Sequence, residues 1–184
     1  MSNSLDDAEI HRIVQNVVQN VMASSSRESV QSSGKKVVAI GADHGGFELK
    51  EGLKSDITAL GFEVSDVGTN SKDAVDYPDF AHAVAQIVGT GKAWRGIMID
   101  GAGIGSCIVA NKVPGVRAGM AYDISSANNS REHNDTNVLT LGAGLIGVAL
   151  AKEIVKVWLT TDFAGGRHAP RVDKIMAVEK KYLK

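Results

Sequence analysis

The stretch from Ile97 to Ser106 limits most strongly what this chain can fold into. An apolar run ends at Asp100, the glycine-rich turn Gly101–Gly105 follows at once, and residues 107–112 are typical of a helix. A buried strand, a tight turn and a helix in this order predict one βα unit of a parallel sheet. Asp100 would then lie at the carboxyl end of its strand, where open parallel sheets bind their ligands.

The glycine-rich turn is a candidate anion site. At the start of a helix its backbone N–H groups would point outward, where they favour a phosphate or a developing enolate. Its spacing is G-x-G-x-G rather than the G-x-G-x-x-G of dinucleotide sites, which argues against a nicotinamide cofactor. The simpler alternative is a turn that only closes a tight connection. On the first interpretation, Asp100 is a candidate base beside a candidate oxyanion site.

The same alternation of strand and helix patterns runs from residue 35 to the end of the chain. Apolar segments rich in β-branched residues predict five strands, at 36–41, 62–67, 95–99, 116–121 and 137–141. Helical periodicity predicts the intervening helices, at 47–60, 77–88, 107–112, 123–132, 145–159 and 172–182. Strands that alternate with helices imply right-handed βαβ units, and therefore one five-stranded parallel sheet covered on both faces.

Composition narrows the classes of function. With 184 residues, the chain suits one domain and an appendage. Its net charge of -1 and few aromatic residues disfavour nucleic-acid binding, and no apolar run approaches the roughly 20 residues that span a bilayer. Cys107 is the single cysteine, so it cannot form an internal disulfide or a thiolate zinc site, and a secretory signal pattern is lacking. We expect a cytoplasmic protein without nucleic-acid or membrane partners.

The first 34 residues differ in character from the rest of the chain. They predict a docking helix at 1–23 and a flexible, serine-rich linker at 24–34, ahead of the main domain at 35–184. Apolar residues between positions 10 and 22 recur at spacings of three and four, which predicts one narrow apolar stripe on a helix. The stripe has no Trp or Phe and the opposite face has few cations, so a membrane surface is a poor partner.

An amphipathic helix on a polar linker needs a surface to cover its stripe. It could fold back on its own domain or pair within a homo-oligomer. The pattern also resembles the encapsulation peptides that carry proteins into bacterial microcompartments. We expect this last role, in which residues 4–22 dock to a shell protein and bring the chain into the compartment lumen.

Polar side chains cluster in the loops of the predicted sheet. Five clusters stand out, at 43–44, 100, 122–123, 130–135 and 165–171. Each alone has a structural explanation, such as a helix cap or a solvated surface charge. Together they supply carboxylates, histidines and arginines without a convincing set of metal ligands. This inventory suits metal-free proton transfer on an anionic small molecule.

Six ordered motifs carry a resemblance to a known family. They are Gly41–Phe47, Asp76–Pro78, Gly101–Gly105, Ala110–Lys112, Ser130–Asn137 and Gly165–His168. Over residues 35–184 the chain resembles the type B ribose-5-phosphate isomerase and galactose-6-phosphate isomerase family. The resemblance implies a Rossmann-like three-layer α/β/α sandwich that forms a homodimer or homotetramer with active sites between subunits. It also implies aldose–ketose isomerisation of a phosphorylated sugar through an enediolate, with no metal and no cofactor.

The resemblance also implies a role for each matching residue. Asp43 and His133 would assist opening of the sugar ring, and Asn134 would bind the open chain. The turn amides, those of Gly101, Gly103, Ile104 and Gly105, would hold the enediolate oxygen. The phosphate would be bound by His44, Arg167 and Arg171, and Tyr77 would line the site. Some of these residues would come from the neighbouring subunit.

Departures from the family pattern leave the identity of the base open. Many members have a cysteine base at the position of Asp100, and others have a glutamate base at the position of Ser106. Ala102 replaces a hydroxyl residue, and Gly144 replaces a phosphate-binding arginine. Asp100 is therefore the candidate base, with ribose 5-phosphate as the expected substrate. The alternatives are another pentose or hexose phosphate, or a non-catalytic binding or assembly subunit in which Asp100 is a structural cap.

Overall fold

Five parallel strands form the sheet that the sequence predicts. The computed structural model describes residues 35–183, so the predicted docking helix and linker lie outside the described residues. The strands are β1 (Val37–Ala42), β2 (Glu63–Asp66), β3 (Arg95–Asp100), β4 (Ala118–Met120) and β5 (Val138–Gly142). Their order in the sheet is β2-β1-β3-β5-β4, and every neighbouring pair is parallel. The two outer strands are the short ones, with four and three residues.

Within residues 35–183, six α-helices connect or follow the strands. They are α1 (Phe47–Ala59), α2 (Tyr77–Gly89), α3 (Ile104–Ala110), α4 (Ile124–Glu132), α5 (Val148–Thr160) and α6 (Ala169–Tyr182), with a short 3-10 helix at Gly166–His168. Three helix starts differ from the prediction, each by three residues, because apolar periodicity does not mark them. Helix α5 starts at Val148 rather than at residue 145 because Gly147 before it is extended, with a ψ of 156°. Helix α3 starts at Ile104 because Gly103 adopts a φ of 79° and turns the chain directly into it. Helix α6 starts before Val172 because Pro170 suits a first turn.

The side chains of β3 show how the three layers form. All six residues of this central strand are buried. Successive side chains point to opposite faces of the sheet, so Ile97 and Ile99 pack with α1 and α5 while Met98 packs with α2 and α3. The predicted three-layer α/β/α sandwich is therefore confirmed. No helix among residues 35–183 is long and apolar enough to cross a membrane.

The strand order creates a crevice between β1 and β3. These strands are neighbours, but the helices that follow them lie on opposite faces, α1 on one and α3 on the other. The loops after Ala42 and Asp100 therefore diverge at the carboxyl edge of the sheet. Ligands of open α/β sheets bind in such a crevice, where the direction of the connections switches.

Candidate active site

The loop after β1 forms one wall of this crevice. Asp43 follows the strand directly, and its amide donates to the Ile99 carbonyl at 3.2 Å. Its carboxylate accepts from the Gly46 amide at 3.0 Å, which organises the start of α1. A Cβ on Gly46 would lie 2.3 Å from the Ile99 carbonyl oxygen, so only glycine permits this approach of the loop to β3. Asp43 is only 7% exposed, which suits a side chain at the floor of a crevice.

The carboxylate of Asp100 is held by the loop that follows it. One oxygen accepts from the amides of Ala102, at 2.8 Å, and Gly103. The other accepts from the amide of Ser106, at 3.3 Å, and from the Ser106 hydroxyl. A carboxylate has about four lone-pair sites, so all of them are occupied in this 4% exposed side chain. To accept a substrate proton, Asp100 must release one donor, and only the Ser106 hydroxyl can rotate away.

This arrangement divides the amides of the glycine-rich turn into two groups. Those of Ala102, Gly103 and Ser106 face Asp100. Those of Gly101, Ile104 and Gly105 have no acceptor among the described residues. The Gly103 amide, predicted to hold the enediolate oxygen, thus organises the loop instead. The remaining three amides are available to an anion.

Tyr77 and His44 border the same crevice. Tyr77 is the first residue of α2, and its hydroxyl end packs on Gly105, where an added Cβ would lie 2.5 Å from the phenol oxygen. His44 is exposed, and its Nδ1 lies 3.2 Å from the carbonyl oxygen of Val75, two residues before Tyr77. Residues from three separate loops therefore meet at the carboxyl edge of the sheet.

A second group of predicted site residues lies elsewhere. His133 follows α4, and its ring stacks on that of His168, with centroids 4.1 Å apart and planes inclined by 6°. The Nε of Arg167 lies 3.4 Å from Nε2 of His168. Burial, followed by the nearby charges of His133, Arg167 and Arg171, lowers the pKa of His168 below its usual value. The cations predicted to bind phosphate thus gather near His133, apart from His44.

The two groups lie at opposite edges of the sheet. His133 and Asn134 precede β5, which begins at Val138 beside Gly96 at the start of β3. Asp100, at the other end of β3, pairs with Gly142 at the end of β5. A six-residue strand spans about 17 Å, so one chain does not bring His133 to Asp100. Both groups can face one substrate only if a second copy presents its amino edge to this carboxyl edge.

A cavity elsewhere on the described residues is a different feature. It has a volume of about 730 Å³ and lies between α6, β4 and the end of α3. Its lining is mainly apolar and includes Asn134. We place the chemistry in the crevice instead, because the carboxylates and available amides lie there. Within residues 35–183, no group of three or more His, Cys, Asp or Glu side chains is arranged to hold a metal ion.

Two contributors to the site were missed by the sequence predictions. Ser106 was noted only as the position of an absent glutamate, yet its hydroxyl is a donor to Asp100. Tyr122 was noted only as a polar residue after a strand, and its hydroxyl donates to the Ala102 carbonyl at 2.7 Å. Both hold the glycine-rich turn in place. The aromatic at a strand end was the available signal for Tyr122; no periodicity marks Ser106.

Residues 38–175 match the family described as Ribose/Galactose Isomerase. The chain belongs to this family. Among members of the ribose/galactose isomerase family, it is 45% identical over 146 residues to ribose-5-phosphate isomerase B of Escherichia coli K12, covering 79% of this chain and 98% of that protein. It is 43% identical over 139 residues to D-erythrulose-4-phosphate isomerase of Pectobacterium atrosepticum, covering 75% and 91%.

Solved structures of family members share the fold. Ribose-5-phosphate isomerase B of Clostridium thermocellum aligns with a TM-score of 0.78 and 49% identity, over 80% of this chain and 99% of that chain. The family resemblance predicted from the motifs is therefore confirmed, as is the enzyme class. This member of the ribose/galactose isomerase family is a sugar-phosphate isomerase, an aldose–ketose isomerase.

Proposed function

We propose that this isomerase interconverts ribose 5-phosphate and ribulose 5-phosphate through an enediolate, without a metal ion. The observation that carries the proposal is the crevice between β1 and β3, which combines two buried carboxylates with three available amides. Isomerisation moves a proton between C1 and C2 of the open-chain sugar and leaves negative charge on oxygen in between. It therefore needs one base and a set of donors for the oxyanion, which this crevice supplies.

Each step uses a group with a defined place in the fold. Asp43, with His133 of a second copy, opens the sugar ring, and Asn134 of that copy binds the open chain. Asp100 takes the proton from C2 and returns it to C1 after the Ser106 hydroxyl has rotated away. The amides of Gly101, Ile104 and Gly105 hold the enediolate oxygen.

The phosphate is bound by cations at the rim of the same composite site. Arg167 and Arg171 of the second copy supply paired donors, which suit phosphate oxygens. His44 joins them from the carboxyl edge, and Tyr77 covers the sugar. The association that this requires is a homodimer or a homotetramer built from such dimers.

Ribose 5-phosphate is favoured by the similarity to ribose-5-phosphate isomerase B proteins at 45% and 49% identity. One relative at 43% identity is instead named for D-erythrulose 4-phosphate, so the substrate must be tested against other chain lengths. The occupied lone pairs of Asp100 favour a second candidate function, a sugar-phosphate-binding subunit without turnover.

The direct test is a steady-state comparison of the full-length protein on ribose 5-phosphate, D-erythrulose 4-phosphate and galactose 6-phosphate. We expect the highest kcat/KM on ribose 5-phosphate, by at least about tenfold, a margin of about 1.4 kcal/mol in the transition state. A higher value on another sugar would retain the isomerase and replace its substrate. Calorimetric binding of ribose 5-phosphate with no turnover of any of the three would support the binding subunit.

We also propose that residues 4–22 dock this enzyme to a microcompartment shell protein. The apolar stripe and polar linker in the sequence support this role, and the family match begins only at residue 38. A variant lacking residues 1–23 should keep its turnover and lose co-sedimentation with shell proteins. A variant that loses its oligomeric state instead would assign the segment to subunit association.

A further inference from the structure

Within the described chain, the segment Arg131–Asn137 contains two side chains without hydrogen bonds, followed by three side chains that are hydrogen-bonded. Within residues 35–183, the side chains of His133 and Asn134 make no hydrogen bonds, although both are proposed to contact the sugar. The next three side chains are all bonded. Asp135 accepts from two arginines, Thr136 accepts from the indole of Trp158 at 3.0 Å, and Asn137 bonds the backbone of Gly115 and Arg117.

Asp135 has an unusual backbone conformation. Its φ is 48°, and it is the one non-glycine residue of the described chain in the left-handed region. This conformation reverses the chain directly after Asn134, so it decides where the two free side chains point. A glycine would adopt it more readily, so what an aspartate adds here is its carboxylate.

Two arginines bind the two carboxylate oxygens of Asp135. Arg117 donates to its carboxylate at 2.8 Å and to its carbonyl oxygen at 2.9 Å. Arg131 donates to the other carboxylate oxygen at 2.9 Å and also to the carbonyl of Thr136. Arg131 is only 4% exposed, so its planar group is fixed by its surroundings. Charge-assisted bonds to an immobile guanidinium define position as well as energy.

We propose that Asp135 is a positioning residue, which with Arg117 and Arg131 fixes the turn that carries His133 and Asn134 toward the sugar phosphate. The identity of the ligand rests on the proposed function, whereas the fixed geometry of the turn does not. The side chain of Asp135 need not touch the substrate, because its effect passes through its two predecessors. Displacement of a reacting group by about 1 Å can cost about 100-fold in rate, so such a clamp has catalytic consequences.

The test compares Asp135→Asn with Asp56→Asn in the full-length protein. Asparagine tolerates the left-handed region and keeps the size of the side chain, but it removes the charge that both arginines share. Asp56 is the control, since its carboxylate has a similar exposure, 39% against 32%, and lies in an ion pair with Lys152 at 2.9 Å, whereas Asp135 pairs with two arginines. Two readouts are needed, the kinetics on sugar phosphate and the imidazole resonances of His133 in protein labelled with ¹³C-histidine, assigned with His133→Ala.

We expect Asp135→Asn to lower kcat/KM by about 10- to 100-fold and to shift the His133 resonances, whereas Asp56→Asn does neither. A purely structural role of Asp135 would lower the melting temperature of Asp135→Asn and leave the His133 resonances of the folded protein in place. Unchanged His133 resonances, or unchanged turnover in an active parent, would overturn the proposal. If the parent converts no sugar phosphate, the proposed function fails, and the resonance shift alone decides whether Asp135 positions His133.

Discussion

Asp100→Asn should lower kcat for sugar-phosphate isomerisation by about 100- to 10,000-fold, the range that a positioned base contributes. KM should change little, because the phosphate and the open chain are bound by other residues, whereas Asp100 acts on the C2 proton. The substitution removes the proton acceptor and leaves the size of the side chain unchanged. Rates of turnover and of deuterium uptake from D₂O into the sugar would both report the loss.

The structure makes this substitution unusually informative. The asparagine oxygen can retain the two donors of Ala102 and Gly103, and its amide nitrogen can donate to the Ser106 hydroxyl, so that only the longest bond, from the Ser106 amide at 3.3 Å, is lost. The loop should therefore keep its shape, which calorimetric binding of substrate would check. Ser106→Ala is the matched control, because it keeps the carboxylate and removes its movable donor. We expect that control to stay within about tenfold of the parent, the equivalent of one hydrogen bond.

Persistent turnover in Asp100→Asn would show that the carboxylate is a structural cap and that another group takes the proton. Loss of both turnover and substrate binding would instead show that the loop had collapsed, and kcat could not then be assigned to a missing base. The two roles considered for Asp100 are thus distinguished by one measurement, the change in kcat when substrate binding is retained. A base predicts a large fall in kcat, and a structural cap predicts little change.

Two inactive variants should regain activity when they share one oligomer. Asp43→Asn damages the carboxyl edge of the sheet, and His133→Ala damages the amino edge. If each site takes one edge from each of two copies, a mixed dimer regains about half of its sites, because its intact carboxyl edge and its intact amino edge meet at one of the two sites. Co-expression of differently tagged chains and assay of the doubly purified oligomers would measure this recovery.

The control for this experiment is a pair of variants from the same edge. When Asp43→Asn is mixed with Asp100→Asn, each chain has lost one of the two carboxylates of its carboxyl edge. No site in the mixture then has an intact carboxyl edge. This pair should therefore stay inactive. Recovery in neither mixture, with mixed oligomers present, would contradict a site shared between two chains.

The sequence predicts the layers of this protein well because burial determines them. The apolar run Ile97–Ile99 can only be a central strand, and alternation of its side chains assigns neighbours on both faces. Positions of single helix ends were less accurate. The start of α3 depends on the left-handed backbone of Gly103, which leaves no apolar repeat to detect.

The residues of the site were predictable from the sequence, but the hydrogen bonds between them were not. Asp43 and Asp100 follow strands, so their shared edge follows from the topology of a parallel sheet. The four donors on Asp100 depend instead on how the loop from Gly101 to Ser106 bends back over it, which is a three-dimensional property. The separation of His133 from Asp100 follows from the order of the elements. His133 comes after helix α4 and before β5, so it lies at the amino edge of the sheet, whereas Asp100 ends a strand at the carboxyl edge.

The short outer strands have a consequence for behaviour at high concentration. Strands β2 and β4 offer only four and three residues of unpaired backbone, and β2 carries the acidic side chains Glu63 and Asp66. Edge strands that are this short and carry charged side chains offer few backbone groups with which a strand of another molecule could pair. Crowded molecules should therefore remain discrete particles of finite size instead of growing into amyloid-like fibres, a useful property for any catalyst held at high local density.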